Sequence, residues 1–470
     1  MNESDLSLRS RRVLVTDPDL ALRWTAARLD VRNGTIVRIE ETGFAHPPDD
    51  GIEVMELGNR LVVPAFVNAH THLALNGLRG TDADLRGNVV EDLFYRWESA
   101  LTAEDVRAFA RLGALECALH GTGVVFDHYY FGTAIAEAVR DVGLAGVIAP
   151  TLQDRGGPQV QTFEEAFDTT DLLLGEDWKN AGIVPALGPH ATDTVSAELW
   201  GEALELAEDN DLPLHAHVAQ SAEEVRRCIE RHGRSPLAWL QHEGLLDSPA
   251  TQLLVHALFV DDADLDRLDP ARHRLGACPF SQIKFGFPAA VERWHARGVP
   301  WMTGTDCAPT NDSMNVQKEL RLIGGQSAFD VTYGSAAGAR RAAIDAASVD
   351  ATEDARTGAD ASLRDPQALL ASVWSTPGDF HPGLPTGRVA EGRRADLAIF
   401  DPTHPSMWPG DDALAALAYA DTSPALHGLL VGGRWIGEPG DVAAILRRDQ
   451  VRDWIDEATR RAGEVRARIH

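Results

Sequence analysis

The sequence predicts an α/β chain: a (β/α)8 TIM-like barrel with a small β-sandwich domain built from its N- and C-terminal segments. Three observations predict it. Strand-like and helix-like segments alternate from residue 64 onward, giving eight candidate βα units. Short strands and turns fill residues 12–63, and strand character returns over 386–437. Polar residues, histidine above all, recur where the eight candidate strands end, and a barrel carries its active site at that end.

Size and composition agree. A chain of 470 residues has room for a barrel and an appended domain. The formal charge of −28 argues against nucleic acid and anionic membranes as partners. The acidity is spread along the chain, as on a solvated surface. The start, Met1-Asn2-Glu3-Ser4-Asp5, lacks the basic-then-apolar pattern of a secretion signal, and no apolar run is long enough to span a bilayer. Cys117, Cys228, Cys278 and Cys307 show no CxxC spacing and suggest no disulfide framework. The expected compartment is the reducing cytoplasm.

Residues 1–63 are expected to be the first part of the β-domain. Segments 12–16 and 27–31 are strand-like, and Asn33-Gly34 supplies a hairpin turn before a strand over 35–39. The barrel is expected over 64–380. Its candidate strands are 65–70, 123–127, 145–150, 183–188, 212–217, 251–256, 274–278 and 299–305. Amphipathic helices lie between them, for example over 103–120, 133–141, 196–209, 222–232 and 287–297. Residues 335–364, rich in Ala, Asp, Gly and Ser, read as a helix or a mobile insertion. Segments 395–400 and 429–435 place the rest of the β-domain within 381–440, and 441–470 form a C-terminal helical segment. An open doubly wound sheet is the alternative. The lack of a Gly-rich phosphate loop after an early strand counts against its nucleotide-binding version.

The apolar run 61–67 leads into His70-Thr71-His72. Alternation along a strand puts both histidines on one face. Taken alone, such a triplet is better explained as two hydrogen-bonded strand-end residues than as a metal site. The remaining strand ends change the balance. They carry Asp127-His128, His190, His215-Ala216-His217 with Gln220 close behind, His256, and Thr305-Asp306. Histidine and carboxylate converging at one barrel mouth make a metal site.

With these pieces in order the sequence resembles the amidohydrolase superfamily. It is most similar to the branch holding cytosine, guanine and S-adenosylhomocysteine deaminases and triazine hydrolases. The resemblance runs through VVPAFVNAHTH, GTGVVFDHYY, LGPHATDT, LPLHAHVAQSAEEV, LLVHALFV and TGTDCAPTNDS, and ends in GRVAEGRRADLAIFD. It implies one divalent metal held by His70, His72, His217 and Asp306, with zinc first and Fe2+ or Mn2+ as alternatives. It implies catalytic roles for Asp306 and His256, and substrate contacts for His190, His128, Gln220 and Glu98. His215 is then the structural member of its pair. The partner is a small-molecule substrate, and a homodimer is an expectation that no residue pattern places.

The chemistry that follows is hydrolytic. A divalent metal lowers the pKa of its water from 15.7 to about 7, making hydroxide available near neutrality. Asp306 is suited to take the water proton, and His256 to hold the nucleophile or stabilise developing charge. The expected function is a mononuclear metal-dependent hydrolase. It cleaves a C–N bond of a cyclic amidine, a purine- or pyrimidine-like ring or a related heterocycle. Some branches bridge two metals with a carboxylated lysine on strand 4, but Ala186-Leu187-Gly188-Pro189-His190 has none, so one metal is expected.

Two departures stand out. The deaminases carry a glutamate three residues after the strand-5 ligand, and here that position is Gln220. An amide cannot perform acid–base catalysis near neutral pH. Either the leaving group needs no proton there, or Glu98 or Asp306 supplies it, or catalysis has lapsed to metal or ligand binding. An amide, imide or halide hydrolase is the corresponding alternative. The second departure is Gln282 after Ser281, where relatives often have asparagine. Phe94, Tyr95, Trp97, Tyr129, Tyr130 and Phe131 are candidates for stacking on a planar ring, with core packing the competing explanation. Arg79 suits an anionic or carbonyl group of the substrate, or a neighbouring carboxylate.

Overall fold

Asn33 and Gly34 both adopt left-handed backbone, at φ 49° and 75°, and turn β2 into β3 as their sequence leads one to expect. A side chain at Gly34 would also meet the Gly432 carbonyl oxygen at 2.8 Å, so glycine lets the C-terminal segment approach the N-terminal one. The computed structural model describes residues 5–41, 52–81, 88–158, 160–284, 289–333 and 363–469.

The chain opens with β1 (Leu6–Thr16), β2 (Leu22–Arg32), β3 (Thr35–Glu40) and β4 (Val54–Pro64). One residue later, β5 (Phe66–Thr71) begins a parallel run with β6 (Thr122–Tyr129), β7 (Ala145–Leu152) and β8 (Ile183–Pro185), and the short β9 (Gly188–Pro189) pairs with β7. A second parallel sheet follows in chain order: β10 (Leu214–Val218), β11 (Gln252–His256), β12 (His273–Ala277) and β13 (Trp301–Thr303). Single parallel bridges, Leu187 to Leu214 and Thr71 to Asp306, link the two sheets. Finally β14 (Leu397–Phe400), β15 (Leu426–Val431) and β16 (Arg434–Trp435) join the first strands in one seven-stranded sheet, in the order β16-β15-β14-β4-β1-β2-β3.

All eight candidate strands appear, with the fourth divided into β8 and β9. Every residue of β5, β6, β7, β10 and β11 is buried, as in a parallel sheet covered on both faces. The seven-stranded sheet is also apolar on both sides. Val13, Val62, Leu397 and Ile399 belong to one core cluster, while their neighbours Leu14, Leu61, Val63 and Ala398 belong to the main core. One face therefore packs on the parallel body, which explains the unbroken apolar runs of β4 and β14. The 335–364 segment lies outside the described residues apart from Leu363 and Arg364.

Helices between strands have defined starts. Thr102 and Asp105 form a reciprocal cap on the helix Ala103–Leu119, and Ser221 caps Ala222–His232 through the Glu224 N–H. The C-terminal helix Asp449–Ile469 is pinned to the first of these by Arg461 and Arg468, which reach Asp105 at 3.1 and 2.8 Å. Among the described residues no helix is long and apolar enough to cross a membrane.

Candidate active site

The ends of β5, β10, β11 and β13 bring four histidines and one aspartate together. His70 and His217 are buried, as are His256 and Asp306, and His72 is half-buried. The Nε2 atoms of His72 and His217 are 3.3 Å apart, and Asp306 Oδ1 stands 3.5 Å from His72 Nε2 and 3.8 Å from His70 Nε2. His256 shares this cluster, within 4.8 Å of His70 and His217 atom to atom.

The opposite edges of the rings are spent within the protein. His72 Nδ1 donates to the His128 carbonyl at 2.6 Å, and His217 Nδ1 to the His190 carbonyl at 2.8 Å. His70 Nδ1 meets His215 Nε2 at 2.8 Å. A carbonyl partner fixes the proton on Nδ1 and leaves the Nε2 lone pair facing the cluster. His70 Nε2 is buried without a hydrogen-bond partner among the described residues. Burial, reinforced for His70 by the surrounding imidazoles, holds the rings neutral: His70 is pushed well below its usual range, and His72 and His217 down to about 4. Burial pushes the Asp306 carboxyl upward, while the Ser281 hydroxyl, donating to Oδ2 at 2.7 Å, works the other way.

Backbone geometry was shaped to make this cluster. His256 and Asp306 sit in the left-handed region at φ 77° and 63°, costly for non-glycine residues and concentrated at functional sites. Gly304 lets β13 approach β5, since a Cβ there would lie 2.6 Å from both the N and the O of His70.

The cluster floors a cavity of about 290 Å3, a size suited to a small ligand. His72, His128, His190, His217, His256, Gln220, Glu98 and Asp306 all line it. His70 and His215 lie behind that lining. His128 is engaged at both nitrogens, Nε2 with the Gly188 carbonyl at 3.1 Å and Nδ1 with Thr151 Oγ1 at 3.4 Å. His190 is anchored through Nδ1 to Thr194 Oγ1 at 2.8 Å. Gln220 is held through its backbone N–H, which donates to Glu224 at 2.7 Å. Glu98 is buried, which lifts its carboxyl to about 7 against a smaller opposing pull from the Tyr129 hydroxyl.

The aromatic candidates divide. Phe94, Tyr95, Tyr129 and Tyr130 line the cavity, whereas Trp97 packs on Phe109 in the core at 5.9 Å and Phe131 borders a different surface cavity. Arg79 pairs with Glu116 and is outside the lining. Cys307 is a buried thiol beside Thr310, its pKa raised by burial. Sequence reasoning missed Ser281 as the partner of Asp306, and Asn68, whose amide bonds the Thr305 hydroxyl at 2.8 Å and backbone N–H at 2.9 Å.

A description of the amidohydrolase family matches residues 61–436, most of the chain and every residue of this cluster. The chain belongs to the amidohydrolase family. It is 30% identical over 413 residues to a 5-methylthioadenosine/S-adenosylhomocysteine deaminase of Haloarcula marismortui, covering 86% of this chain and 87% of that one. An adenosine deaminase from Xanthomonas campestris with bound zinc has the same fold, with a TM-score of 0.78 at 23% identity over 97% of this chain and 98% of that one. So does an atrazine chlorohydrolase from Arthrobacter aurescens TC1 complexed with zinc, with a TM-score of 0.77 at 17% identity over 96% and 100%. This member of the family is a metal-dependent hydrolase acting on carbon–nitrogen bonds other than peptide bonds.

Proposed function

We propose that this amidohydrolase uses one divalent metal, held by His70, His72, His217 and Asp306, to release an amino group from a purine-like or related amidine heterocycle. The observation that carries it is the convergence of proton-free Nε2 atoms and a carboxylate oxygen on one point. A tetrahedral zinc ion with Zn–N of 2.0–2.1 Å needs ligand atoms about 3.3 Å apart, close to the His72–His217 separation. The unpartnered, buried Nε2 of His70 is likewise suited to a cation. Relatives named as adenosine-type deaminases, and neighbours with bound zinc, support the substrate class and the choice of metal over iron or manganese.

When bound, a metal of this kind makes a water molecule acidic enough to be a nucleophile near neutral pH. The residues do the rest. Asp306 takes the water proton on its carboxylate, with Ser281 orienting the far oxygen. His256, at the cluster edge, hydrogen-bonds the oxygen as the substrate carbon becomes tetrahedral. The aromatic wall and His190 hold the ring. We place the site in a closed (β/α)8 barrel over 64–380, which the two bridges between the parallel sheets support. Residues 1–63 and 381–440 then form the β-sandwich domain and 441–470 the helical tail. The four cysteines, all free and buried, support a reducing cytoplasm.

Gln220 favours a second reading. A hydrolase whose leaving group departs without a proton, such as halide, would tolerate an amide in the cavity wall. One experiment separates the two. The metal-loaded protein is incubated with adenosine, guanine, cytosine and atrazine, and ammonia and chloride are measured. Ammonia from an amino-heterocycle supports the proposal; chloride alone supports the second reading. Metal binding with no product from the panel would contradict both.

A further inference from the structure

We propose that Glu98 is the proton carrier of this site, in the role that the Gln220 amide cannot fill; the proposal rests on the hydrolytic function above. Several carboxyl groups line the cavity, and most are committed elsewhere. Glu224 accepts the Ala219 and Gln220 N–H groups at 3.1 and 2.7 Å and the Thr192 hydroxyl, so it holds the end of β10. Glu91 and Asp193 share Arg227 at 2.6 and 3.1 Å. Asp306 belongs to the ligand group. Glu98 differs: it is 5% exposed, lines the cavity, and among the described residues carries no side-chain ion pair or backbone bond, its carboxyl being met by the Tyr129 hydroxyl.

Its position suits the role. Glu98 ends the short helix Tyr95–Glu98, and Tyr129, from the end of β6, borders it. The Tyr129 ring lies 6.0 Å from that of His72, and its buried hydroxyl is the group beside the Glu98 carboxyl. The charge of Glu98 is felt at Cys307, the residue after Asp306. The ionisable groups coupled to Glu98 are Tyr95, Tyr129, Tyr130 and Cys307, and burial keeps all four neutral near pH 7. A carboxyl buried among them holds its proton at a pH where an exposed one has lost it.

The proton inventory closes. Water adds to the sp2 carbon, forming a C–O bond, and gives one proton to Asp306. The C=N electron pair moves to the ring nitrogen, which takes the proton of Glu98. As the exocyclic C–N bond breaks, its electron pair leaves on the amino nitrogen, which takes the proton from Asp306 and departs as ammonia. The new C–OH returns its proton to Glu98 and becomes C=O.

The test is Glu98→Gln in the metal-loaded protein, on whichever substrate of the panel releases ammonia. The expected result is a fall in kcat of about 10²–10³-fold at unchanged metal content. Adding Gln220→Glu to that variant should recover at least about tenfold, by restoring a carboxyl to the cavity lining. Infrared spectroscopy at pH 6 gives a readout without turnover: Glu98→Gln should lose one protonated-carboxyl band of the parent protein and keep those of Asp127, Glu224 and Glu319, whose carboxyls burial also lifts to about 7. A kcat within threefold of the parent overturns the proposal and leaves the hydrolytic function standing. So does a Glu98→Gln loss that Gln220→Glu fails to repair, which marks a structural role. A parent protein inactive on the whole panel overturns both.

Discussion

The Nε2 atoms of His72 and His217 face each other at 3.3 Å although neither carries a proton. Two lone pairs in such contact repel unless a cation lies between them. Replacing His217→Ala should therefore drop bound metal well below one ion per chain and abolish turnover. Elemental analysis and activity check it, with far-ultraviolet circular dichroism to show that the fold is kept.

Asp306 is both ligand and proton acceptor in this account. Asp306→Asn keeps the shape and removes the basicity. Turnover should fall by at least about 10²-fold, while the secondary structure is unchanged. Retained full activity would rule out the proposed proton path.

Ser281 fixes the far oxygen of Asp306 at 2.7 Å. Partners of metal ligands are typically worth 10–100-fold in affinity or activity. Ser281→Ala is expected to cost about tenfold in one of the two, measured by metal titration and steady-state kinetics.

Sequence periodicity was enough to find the parallel strands, because fully buried strands announce themselves as apolar runs and their ends by histidine. It could not separate His217 from His215, which alternation puts on one face; only the resemblance did, and His215 Nε2 meets His70 Nδ1 at 2.8 Å. What it could not show was partnership across long separations. Ser281 meets Asp306, and Asn68 meets Thr305, only because neighbouring strands end together. Trp97 and Phe131 were grouped with Tyr129 and Tyr130 by proximity in sequence, but helical and turn geometry sends them elsewhere. That Glu224 is committed to the backbone at the end of β10, while Glu98 meets a tyrosine of the cavity wall, is a matter of contacts that no spacing encodes.

Gly304 has no room for a side chain against His70. Gly304→Ala should destabilise the protein by about 1–3 kcal/mol through forced displacement of β13 from β5. Thermal denaturation with and without metal checks it, and the loss should be larger with metal present because the ligands move apart.

The neutral imidazoles give acid a foothold. Unfolded, His72 takes up its proton near 6.5; folded and metal-free, only near 4. Between those values the unfolded chain binds more protons, so this contribution to stability is complete above 6.5 and is lost as pH falls towards 4. Each such group contributes about 1.4 kcal/mol per pH unit across that window. The chelated His72→Asn variant should show a pH profile of stability shallower by about that amount than the chelated parent, in denaturant titrations from pH 7 to 4.5.

The most direct measurement is the metal content per chain of protein purified without added metal or chelator, repeated after reconstitution with zinc. One ion per chain is the expected result. Two would contradict a site without a bridging lysine, and none after reconstitution would contradict the assignment of His70, His72, His217 and Asp306 as ligands.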